Sequence, residues 1–379
     1  MNVLIAIDSF KGSLSSVAAG EAAAAGVKRV FPNADCSVFP LADGGEGTVS
    51  ALVSGLGGEI RTVEVEGPLK RPVAARYGIL PTGVAVLEMA EASGITRIAP
   101  EERNPLLTTT YGVGELIVDA LEQGCRRFIV GIGGSATNDG GAGMLQALGY
   151  HLLDAAGAEL CRGGGALREV ARVVPPEKMM AERLAASTFR VACDVKNPLC
   201  GSQGASAIFG PQKGATPAMV DLLDAALARW AEVSGGDSEF PGTGAAGGLG
   251  YAFKAFLNAE LTPGVDLVLS ETGLAKALES ADVVITGEGR LDGQSVMGKA
   301  PIGVARLAKK LGKPVLAFCG CVGPGVEAVL SAGIDAYFPI LRQVVSLDEA
   351  LNVERAALNL SATVEQAFRL LALDIQMRG

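Results

Sequence analysis

Short apolar segments alternate with amphipathic segments at both ends of the 379-residue chain. Residues 3–7 are predicted to form a buried strand, followed by a helix from about Ser15 to Val30 and a second strand at 36–42. After about residue 264 the alternation returns, and strands are predicted at 282–286, 314–320 and 336–340. Alternation of strand and helix is typical of a parallel sheet covered by helices. The two ends are therefore expected to build one parallel α/β domain together.

The middle of the chain has a different pattern. Residues 58–67 and 72–80 alternate apolar and polar side chains, which predicts strands with one exposed face in a mixed or antiparallel sheet. A strongly amphipathic helix follows at 216–235, with Thr216 as the expected N-cap and Pro217 at the first helical position. The middle is thus expected to be a second α/β domain inserted into the first.

The predicted fold class is α/β with two domains. A Rossmann-like parallel domain is expected from residues 1–58 and 264–379, and an inserted mixed-sheet domain from residues 59–263. Two α/β domains joined in this way usually place a ligand site at the edges of their sheets. The active site is predicted to lie in the cleft between the domains.

Charge and cysteine usage exclude several classes of protein. A net charge of −9 and a pI of about 4.9 argue against nucleic-acid or anionic-membrane partners. There is no membrane span or signal peptide to be predicted, and seven cysteines without a CxxC pair indicate neither a zinc ribbon nor a disulfide framework. A cytoplasmic protein is expected, in which the single histidine, His151, has a structural role. Acid–base chemistry would fall to Asp, Glu or Lys.

The first strand is followed by the sequence DSFKG, which contains Asp8, Ser9 and Lys11. Ligands of open α/β sheets bind beyond the carboxyl ends of the strands. Lys11 precedes the predicted helix, and a lysine beside helix N-terminal amides makes an anion site. The alternative is that Ser13 or Ser15 caps the helix and Lys11 is only solvated. The loop alone leaves both interpretations open.

The second strand ends in the sequence LADGGEGT. Gly44 and Gly45 would let the backbone approach a ligand closely, and Asp43 and Glu46 place two carboxylates at the same edge. A turn followed by an acidic first helical turn explains the same residues without a ligand. Both interpretations stay open here as well.

A third loop, GIGGSATNDGGAGML at 131–145, is more specific. It follows a buried strand and combines six glycines with small hydroxyl and amide side chains, so it offers many N–H donors and little bulk. An anion or nucleotide loop is favoured over a plain connection. The residues expected to contact a nucleotide are Gly134, Ser135, Thr137, Asn138, Asp139 and Gly140.

Polar side chains also follow a later strand at 188–195. Asp194, Lys196 and Asn197 come directly after it, and Lys213 follows in the sequence FGPQKGA. The accompanying glycines and prolines are also compatible with turn formation alone. A functional role is slightly favoured.

The stretch TGEGRLDGQSVMGKAP at 286–301 contains a match to the Walker phosphate loop, G-x-x-x-x-G-K, at Gly293, Gly298 and Lys299. The next residue should be a Ser or Thr that ligates magnesium, and here it is Ala300. About twelve residues separate the predicted strand from the glycine–lysine pair, and Pro301 follows at once. A Walker assignment is therefore rejected.

What remains in this stretch is a polar loop with both acids and cations, Glu288, Arg290, Asp292 and Lys299 among them. Acids of this kind hold magnesium through waters, and an arginine grips a carboxylate or phosphate with two hydrogen bonds. Taken with the other loops, this inventory suits phosphoryl transfer, which depends on positioning and charge neutralisation.

The chain resembles the bacterial glycerate kinase family. The resemblance extends from residue 1 to about 370 and rests on DSFKGSLSS, LADGGEGT, LLTTTYGVGELI, GIGGSATNDGGAGMLQALG, CDVKNPLCG, FGPQKGA and TGEGRLDGQSVMGKAP. It implies ATP-dependent phosphorylation of D-glycerate with Mg²⁺, in two α/β domains around a cleft. The product that it favours is 2-phosphoglycerate rather than 3-phosphoglycerate.

Residue roles are hypotheses beyond the resemblance. The expected catalytic set is Lys11, Asp194, Arg290 and Asp292, with Lys11 neutralising the transferred phosphate and Arg290 holding the glycerate carboxylate. The residues expected to bind the substrate are Asp8, Ser9, Asp43, Gly44, Gly45, Glu46 and Arg290. The residues expected to bind ATP are the 134–140 loop residues named above, Lys196, Asn197 and Lys299. The residues expected to bind the metal are Asp43, Asp194 and Glu288.

Two other classes of function stay open at this stage. One is a kinase or phosphatase that acts on another small hydroxy acid or a sugar. The other is a non-catalytic small-molecule-binding protein, because two domains around a cleft also describe solute-binding proteins. A homo-oligomer is possible, and the sequence does not decide the oligomeric state.

Overall fold

The computed structural model describes residues 1–42, 44–45 and 47–378, so Asp43 and Glu46 lie outside the described residues. The strands are β1 Asn2–Ile7, β2 Asp35–Val38, β3 Glu59–Glu66, β4 Pro72–Ile79, β5 Val84–Glu88, β6 Arg127–Gly131, β7 His151–Leu153, β8 Arg172–Val174, β9 Thr188–Ala192, β10 Glu260–Thr262, β11 Val283–Leu291, β12 Val315–Val322 and β13 Ala336–Pro339.

The α-helices alternate with these strands, and short 3₁₀ turns complete several connections. Within the described residues, no helix combines the length and the apolar character that a membrane crossing needs. The helices are α1 Ser16–Val30, α2 Thr48–Leu56, α3 Met89–Ser93, α4 Tyr111–Glu122, α5 Ala142–Ala147, α6 Lys178–Ala185, α7 Ala205–Phe209, α8 Pro217–Ser234, α9 Leu249–Leu257, α10 Gly264–Thr272, α11 Leu274–Leu278, α12 Ala300–Lys310, α13 Ala328–Ser331, α14 Leu347–Leu351 and α15 Val353–Arg378.

The chain forms two compact units. Unit 1 comprises Met1–Asp43, Ser54–Leu56 and Val265–Gly379, and unit 2 comprises Gly44–Val53 and Gly57–Gly264. Unit 2 includes the stretch 44–53, which the sequence pattern assigned to the terminal domain. The predicted domain boundaries stay a prediction.

Unit 1 is built on a parallel sheet with strand order β13-β12-β11-β1-β2. Its strands bury side chains on both faces, because Val3 and Ile5 of β1 enter one core and Leu4 the other. Helices α1 and α15 cover the first face, and α10 to α12 cover the second. The predicted parallel α/β sheet built from both ends of the chain is confirmed.

Close packing of α1 against α15 depends on one glycine. A Cβ atom at Gly26 would lie 2.4 Å from the carbonyl oxygen of Ser361 and 2.9 Å from Cβ of Val364. Only a residue without a side chain lets the two helices approach this far. This contact ties the N-terminal and C-terminal segments into one unit.

Unit 2 contains a mixed sheet with the order β10-β9-β6-β5-β4-β3. Strands β5, β6, β9 and β10 run parallel, whereas β3, β4 and β5 pair antiparallel. The core includes Phe128 stacked on Phe189, with centroids 4.7 Å apart, and Trp230 stacked on Phe256 at 5.3 Å. The predicted mixed sheet in the middle of the chain is confirmed.

Several predicted elements differ from the structure at their ends. Strand β2 stops at Val38 instead of residue 42, and β11 continues to Leu291 instead of stopping at 286. Helices α10 and α11 are separated at Gly273, whose φ of 69° is left-handed and ends the helical hydrogen bonding. The predicted cap of α8 is confirmed, because Thr216 Oγ1 accepts a hydrogen bond from the N–H of Met219.

Candidate functional site

The carboxyl ends of β1, β11 and β12 lie side by side in unit 1. A cavity of approximately 350 Å³ opens there, and this group of residues is called the unit 1 edge below. Its polar lining includes six side chains predicted for the site, Asp8, Ser9, Lys11, Glu288, Arg290 and Lys299. The structure therefore brings together residues that are almost 300 positions apart in the sequence.

Glycines let β11 and β12 pair tightly beneath this cavity. A Cβ atom at Gly287 would lie 1.9 Å from the carbonyl oxygen of Phe318, and one at Gly320 would lie 2.4 Å from the carbonyl oxygen of Gly289. Both separations are too short for any other residue. The glycines of this stretch therefore extend the strand, and Glu288 and Arg290 stand on β11 itself, two positions apart on one face.

Two ion pairs hold the charged side chains of β11. The Nε of Arg290 lies 3.3 Å from Oδ2 of Asp292, although the arginine side chain is 59% exposed. Glu288 Oε1 accepts a 2.6 Å hydrogen bond from Ser295 Oγ, and its Oε2 lies 3.3 Å from Nζ of Lys299. Burial raises the pKa of Glu288, while Ser295 and Lys299 oppose that shift.

Lys11 is exposed in the loop that follows β1. The loop is closed by hydrogen bonds from the Phe10 N–H to the Leu14 carbonyl and from the Ser13 N–H to the Phe10 carbonyl, and Oγ of Ser13 is buried without a hydrogen-bond partner. Ser15 caps α1 by accepting from the Ala18 N–H at 3.2 Å. Helix α1 begins at Ser16, five positions after Lys11, and the expected role of Lys11 beside this helix stays a prediction.

Lys299 is the N-cap residue of α12, which begins at Ala300 with Pro301 in its first turn. Strand β11 ends at Leu291, so the connection to α12 is only 292–299. The length argument against a Walker loop is therefore wrong, because the glycines in this stretch continue the strand. Ala300 is fully buried and has no hydroxyl, so it still does not supply the magnesium ligand of a Walker loop.

A second group of predicted residues gathers at the carboxyl ends of β5, β6 and β9 in unit 2. Gly44 packs there, since a Cβ atom on it would lie 2.5 Å from that of Ala192 and 2.7 Å from Cα of Gly264. A Cβ atom on Gly131 would likewise lie 2.5 Å from the carbonyl oxygen of Gly44. Gly44 is thus required by close backbone packing within unit 2.

Glu88 is a buried residue of this region that the sequence reasoning missed. It ends β5, is 6% exposed, and accepts hydrogen bonds from the N–H groups of Gly47 at 3.2 Å and Val49 at 2.7 Å. A carboxylate at these N–H groups caps α2 and complements its dipole. The sequence feature that could have indicated Glu88 is its position as an acid at the end of the otherwise apolar run VAVLE.

The glycine-rich loop 131–141 follows β6 and is fixed from both sides. The Ile95 N–H donates to the Gly134 carbonyl at 2.8 Å, and the Ala136 N–H donates to the Ser93 carbonyl at 3.0 Å. Gly133 and Gly134 are exposed, whereas Ser135 is 8% exposed. The tip of the loop is thus exposed at Gly133 and Gly134, and the nucleotide contacts expected of Gly134 and Ser135 stay a prediction.

The next three predicted nucleotide contacts point inward. Thr137, Asn138 and Asp139 are fully buried in unit 2. Asp139 Oδ2 accepts from the N–H and Oγ1 of Thr110 at 2.8 and 2.9 Å, and the N–H groups of Gly141 and Gly143 also donate to this carboxylate. Burial raises the pKa of Asp139 and these hydrogen bonds oppose the shift. In this structure the three side chains build the loop and have no surface to offer ATP.

The end of the loop is held by two further buried groups. Nε1 of Trp230 donates to the Gly140 carbonyl at 3.1 Å, and Nζ of Lys213 donates to the Thr137 carbonyl at 2.7 Å. Burial lowers the pKa of Lys213 to about 7, although Asp139 raises it. Gly140 and Lys213 therefore support the loop from inside rather than face a ligand.

Three remaining candidates follow β9. Asp194 and Lys196 are exposed, and Asp194 Oδ1 accepts from the Gly264 N–H at 3.0 Å. Nδ2 of Asn197 donates to the Gln203 carbonyl at 2.8 Å, so this amide closes its own loop. Asp194 and Lys196 stay candidates for ligand contact, and Asn197 has a structural role in this structure.

The metal candidates do not form a dense protein site. Across residues 1–42, 44–45 and 47–378, no three His, Cys, Asp or Glu side chains come together as a metal-binding group. Asp43 lies outside the described residues, Asp194 is in unit 2, and Glu288 is in unit 1. His151 is exposed on β7, with Nδ1 3.1 Å from Glu159 Oε2, and its expected structural role stays a prediction.

Comparison with known proteins places the chain in a family. The model of the glycerate kinase family matches residues 3–372. A glycerate kinase of Halalkalibacterium halodurans is 48% identical over 95% of this chain and 97% of that protein, and the glycerate 2-kinase of Escherichia coli K12 is 47% identical over 97% and 99%. A crystal structure assigned to glycerate kinase 2 of Salmonella typhimurium LT2 superimposes with a TM-score of 0.91 at 44% identity and 99% coverage of both chains. The chain belongs to the glycerate kinase family.

Proposed function

We propose that this protein is a kinase that transfers the γ-phosphoryl group of ATP to D-glycerate. Family membership over nearly the whole chain supports the reaction class. The observation that carries the proposal is the unit 1 edge, where Lys11, Arg290 and Lys299 line one cavity at the carboxyl ends of parallel strands. Three cations around one cavity in a chain of net charge −9 are suited to a substrate that carries several negative charges.

Phosphoryl transfer requires two anionic substrates to be brought together and their charge to be neutralised. Lys11 and Lys299 supply point charges for the phosphate oxygens. Arg290 supplies a planar fork that matches a carboxylate, and Asp292 fixes the orientation of that fork. We assign the carboxylate of glycerate to Arg290. Asp194 and Asp292 stay hypotheses for the group that accepts the proton of the glycerate hydroxyl.

Glu288 has a different role in this account. Both of its oxygens are engaged, one by Ser295 and the other by Lys299. The carboxylate therefore holds the ammonium group of Lys299 at the N-terminus of α12, where a helix favours bound anions. Lys299 would otherwise be a long, mobile side chain. Glu288 is a positioning residue for phosphate binding.

Magnesium is the expected companion of ATP in this reaction. Kinase sites hold this ion with one or two carboxylates and the substrate phosphates, so a cluster of three protein ligands is not needed. Asp8 and Glu288 both line the cavity. Either carboxylate would contribute to holding the ion. The ion would neutralise phosphate charge when it is bound.

The position of transfer is the finer part of the proposal. We favour the 2-hydroxyl, and hence 2-phosphoglycerate, because a relative 47% identical to this chain is named glycerate 2-kinase. The test is turnover of D-glycerate with ATP and magnesium, with the product resolved by ³¹P NMR. A 2-phosphate supports the full proposal, and a 3-phosphate keeps the kinase but overturns the position. ATP consumption only with another hydroxy acid would show that D-glycerate is not the substrate.

A further inference from the structure

The cavity of the unit 1 edge has a lining of two unlike parts. One part, called the charged end below, consists of the charged side chains described above. The other part, called the apolar end, consists of aliphatic side chains of the segment after β13, of α14 and of α15. The members of this apolar end are Ile340, Leu341, Leu347, Ala350, Leu351 and Ala356. A volume of approximately 350 Å³ is at the lower end of the range for small-molecule sites, roughly 300–1,000 Å³.

The apolar end is a structured wall. Helix α14 carries a capping box, in which Ser346 Oγ accepts from the Glu349 N–H and Glu349 Oε2 accepts from the Ser346 N–H. The Ile340 N–H donates to the Cys319 carbonyl at 2.8 Å. Two of the leucines are nevertheless well exposed, Leu341 by 39% and Leu347 by 73%. Apolar surface held in a capped helix beside a cavity indicates a ligand with an apolar part.

The two proposed substrates differ in this respect. D-glycerate carries a carboxylate and two hydroxyls on three carbons, so it has no apolar face to bury. ATP carries a chain of charged phosphates at one end and a flat base with broad apolar faces at the other. Only ATP matches both ends of the cavity. We propose that the apolar end binds the adenosine moiety of ATP, with its phosphates directed to Lys11 and Lys299.

Asn359 gives this site a means of recognising the base. It lies on α15 and lines the same cavity, and within the described residues none hydrogen-bonds its side-chain amide. An asparagine amide donates and accepts at once, which matches the N7 acceptor and N6 donor of adenine. Guanine presents O6 in place of the amino group, so the same amide pairs with it less well. Asn359 is therefore a specificity residue for ATP over GTP.

This inference rests on the proposed function for its choice of ligand, but it is tested by binding alone. The first variant is Ala350→Phe, which fills the apolar end with a ring and leaves the charged residues in place. The matched control is Leu358→Phe on α15, where the side chain is 64% exposed and is not among the described residues that line the cavity. Calorimetric titration with ADP gives the affinity, and steady-state kinetics give the KM for D-glycerate.

The expected result is a rise in the Kd for ADP of tenfold or more in Ala350→Phe, with the glycerate KM within about twofold of wild type. Leu358→Phe should match wild type in both. Unchanged ADP affinity in a folded Ala350→Phe protein would overturn the inference, and so would a rise confined to the glycerate KM. If wild type binds ADP with this sensitivity but does not phosphorylate glycerate, the adenosine site stands and the proposed function fails.

A second variant covers the case in which Ala350→Phe does not fold. Asn359→Ala removes a partly buried amide without adding volume. The ratio of kcat/KM for ATP to that for GTP should fall tenfold or more, while Leu358→Ala leaves it unchanged. An unchanged ratio in Asn359→Ala would show that this residue does not recognise the base. An equal loss with both nucleotides would place Asn359 in the fold and overturn its specificity role.

Discussion

Two glycine-rich stretches of this protein, 286–301 and 131–145, share a composition but are used in opposite ways. In the first, Glu288, Arg290 and Lys299 line a cavity, and the glycines let two strands pair closely beneath them. In the second, the side chains of Thr137, Asn138 and Asp139 are fully buried, and those of Asn138 and Asp139 form hydrogen bonds within their own unit. Glycine with small polar residues after a strand is therefore not by itself a ligand site.

The difference lies in where the hydrogen-bond partners come from. In unit 2 the chain supplies Thr110, Gly141 and Gly143 to Asp139, so that carboxylate is satisfied internally. In unit 1 the guanidinium of Arg290 has one ion pair and is still 59% exposed. A buried polar group must find its partners within the fold, whereas an exposed cation keeps capacity for a ligand. Substitutions in the first stretch should therefore cost activity, and those in the second should cost stability.

The largest effect is expected in unit 2, for Asp139→Ala. The Asp139 carboxylate accepts hydrogen bonds from backbone N–H groups and one hydroxyl, and the substitution leaves these donors without a partner. We therefore expect a loss of about 3 kcal/mol or more in the free energy of unfolding. Urea unfolding followed by the fluorescence of Trp230, the one tryptophan in the sequence, measures it. Asp154→Ala is the control, because Asp154 also accepts hydrogen bonds from two backbone N–H groups but is only partly buried. Equal, small losses in both variants would contradict the structural role of Asp139.

The next effect is expected in unit 1, for Arg290→Ala. We expect kcat/KM for D-glycerate to fall about 10² or more, mostly through KM, because a charge-assisted clamp on the carboxylate is lost. The free energy of unfolding should change by no more than about 0.5 kcal/mol, as for other exposed substitutions. Arg306→Ala, exposed on α12, should change neither quantity. Near-native kinetics for Arg290→Ala would show that Arg290 does not hold the glycerate carboxylate.

A smaller effect is expected from Glu288→Gln, with a signature in pH. The pKa of Glu288 is raised by burial, so the carboxylate takes up a proton at a higher pH than an ordinary glutamate and then releases Lys299. Wild-type kcat/KM for ATP should fall as the pH is lowered through this raised pKa. The glutamine variant should lose about tenfold in activity and lack this acid limb. An acid limb that persists in the variant would assign the titration to another group.

The last prediction concerns Lys213 and the change in stability that it causes per pH unit. Its folded-state pKa of about 7 is below the ordinary 10.5, so between these values the unfolded chain binds more protons than the folded chain. Stability should therefore rise with pH across this window, by at most about 1.4 kcal/mol per pH unit. Lys213→Met should lack this rise, and Lys254→Met, in which a partly buried lysine is replaced, serves as the control. Parallel pH profiles for wild type and Lys213→Met would show that Lys213 is not buried as described.

Sequence reasoning was strongest where periodicity and position decide the structure. The parallel sheet from both ends, the mixed sheet in the middle and the cap of α8 follow from apolar spacing and from Thr216 and Pro217. Lys11, Glu288 and Arg290 could be placed at one edge because carboxyl ends of parallel strands meet there. These inferences need only local patterns and the geometry of a parallel sheet.

Other features could not be predicted because they depend on long-range partners. The burial of Asp139 depends on Thr110, which is 29 positions earlier, and that of Lys213 depends on Thr137, which is 76 positions earlier. The extension of β11 depends on whether Gly287 meets the backbone of β12. Glu88 caps a helix whose first turn lies 39 positions before it. A single sequence shows the residue types in each case but not the group that each one faces.

The central claim is that the unit 1 edge contacts the substrates while residues 137–139 support the fold. The most direct test is a crystal structure of the protein with a non-hydrolysable ATP analogue, magnesium and D-glycerate. The account predicts nucleotide against Leu347 and Asn359, phosphates near Lys11 and Lys299, and Asp139 still bonded to Thr110. Phosphates bound by the side chains of Thr137, Asn138 and Asp139, with the unit 1 cavity empty, would contradict it.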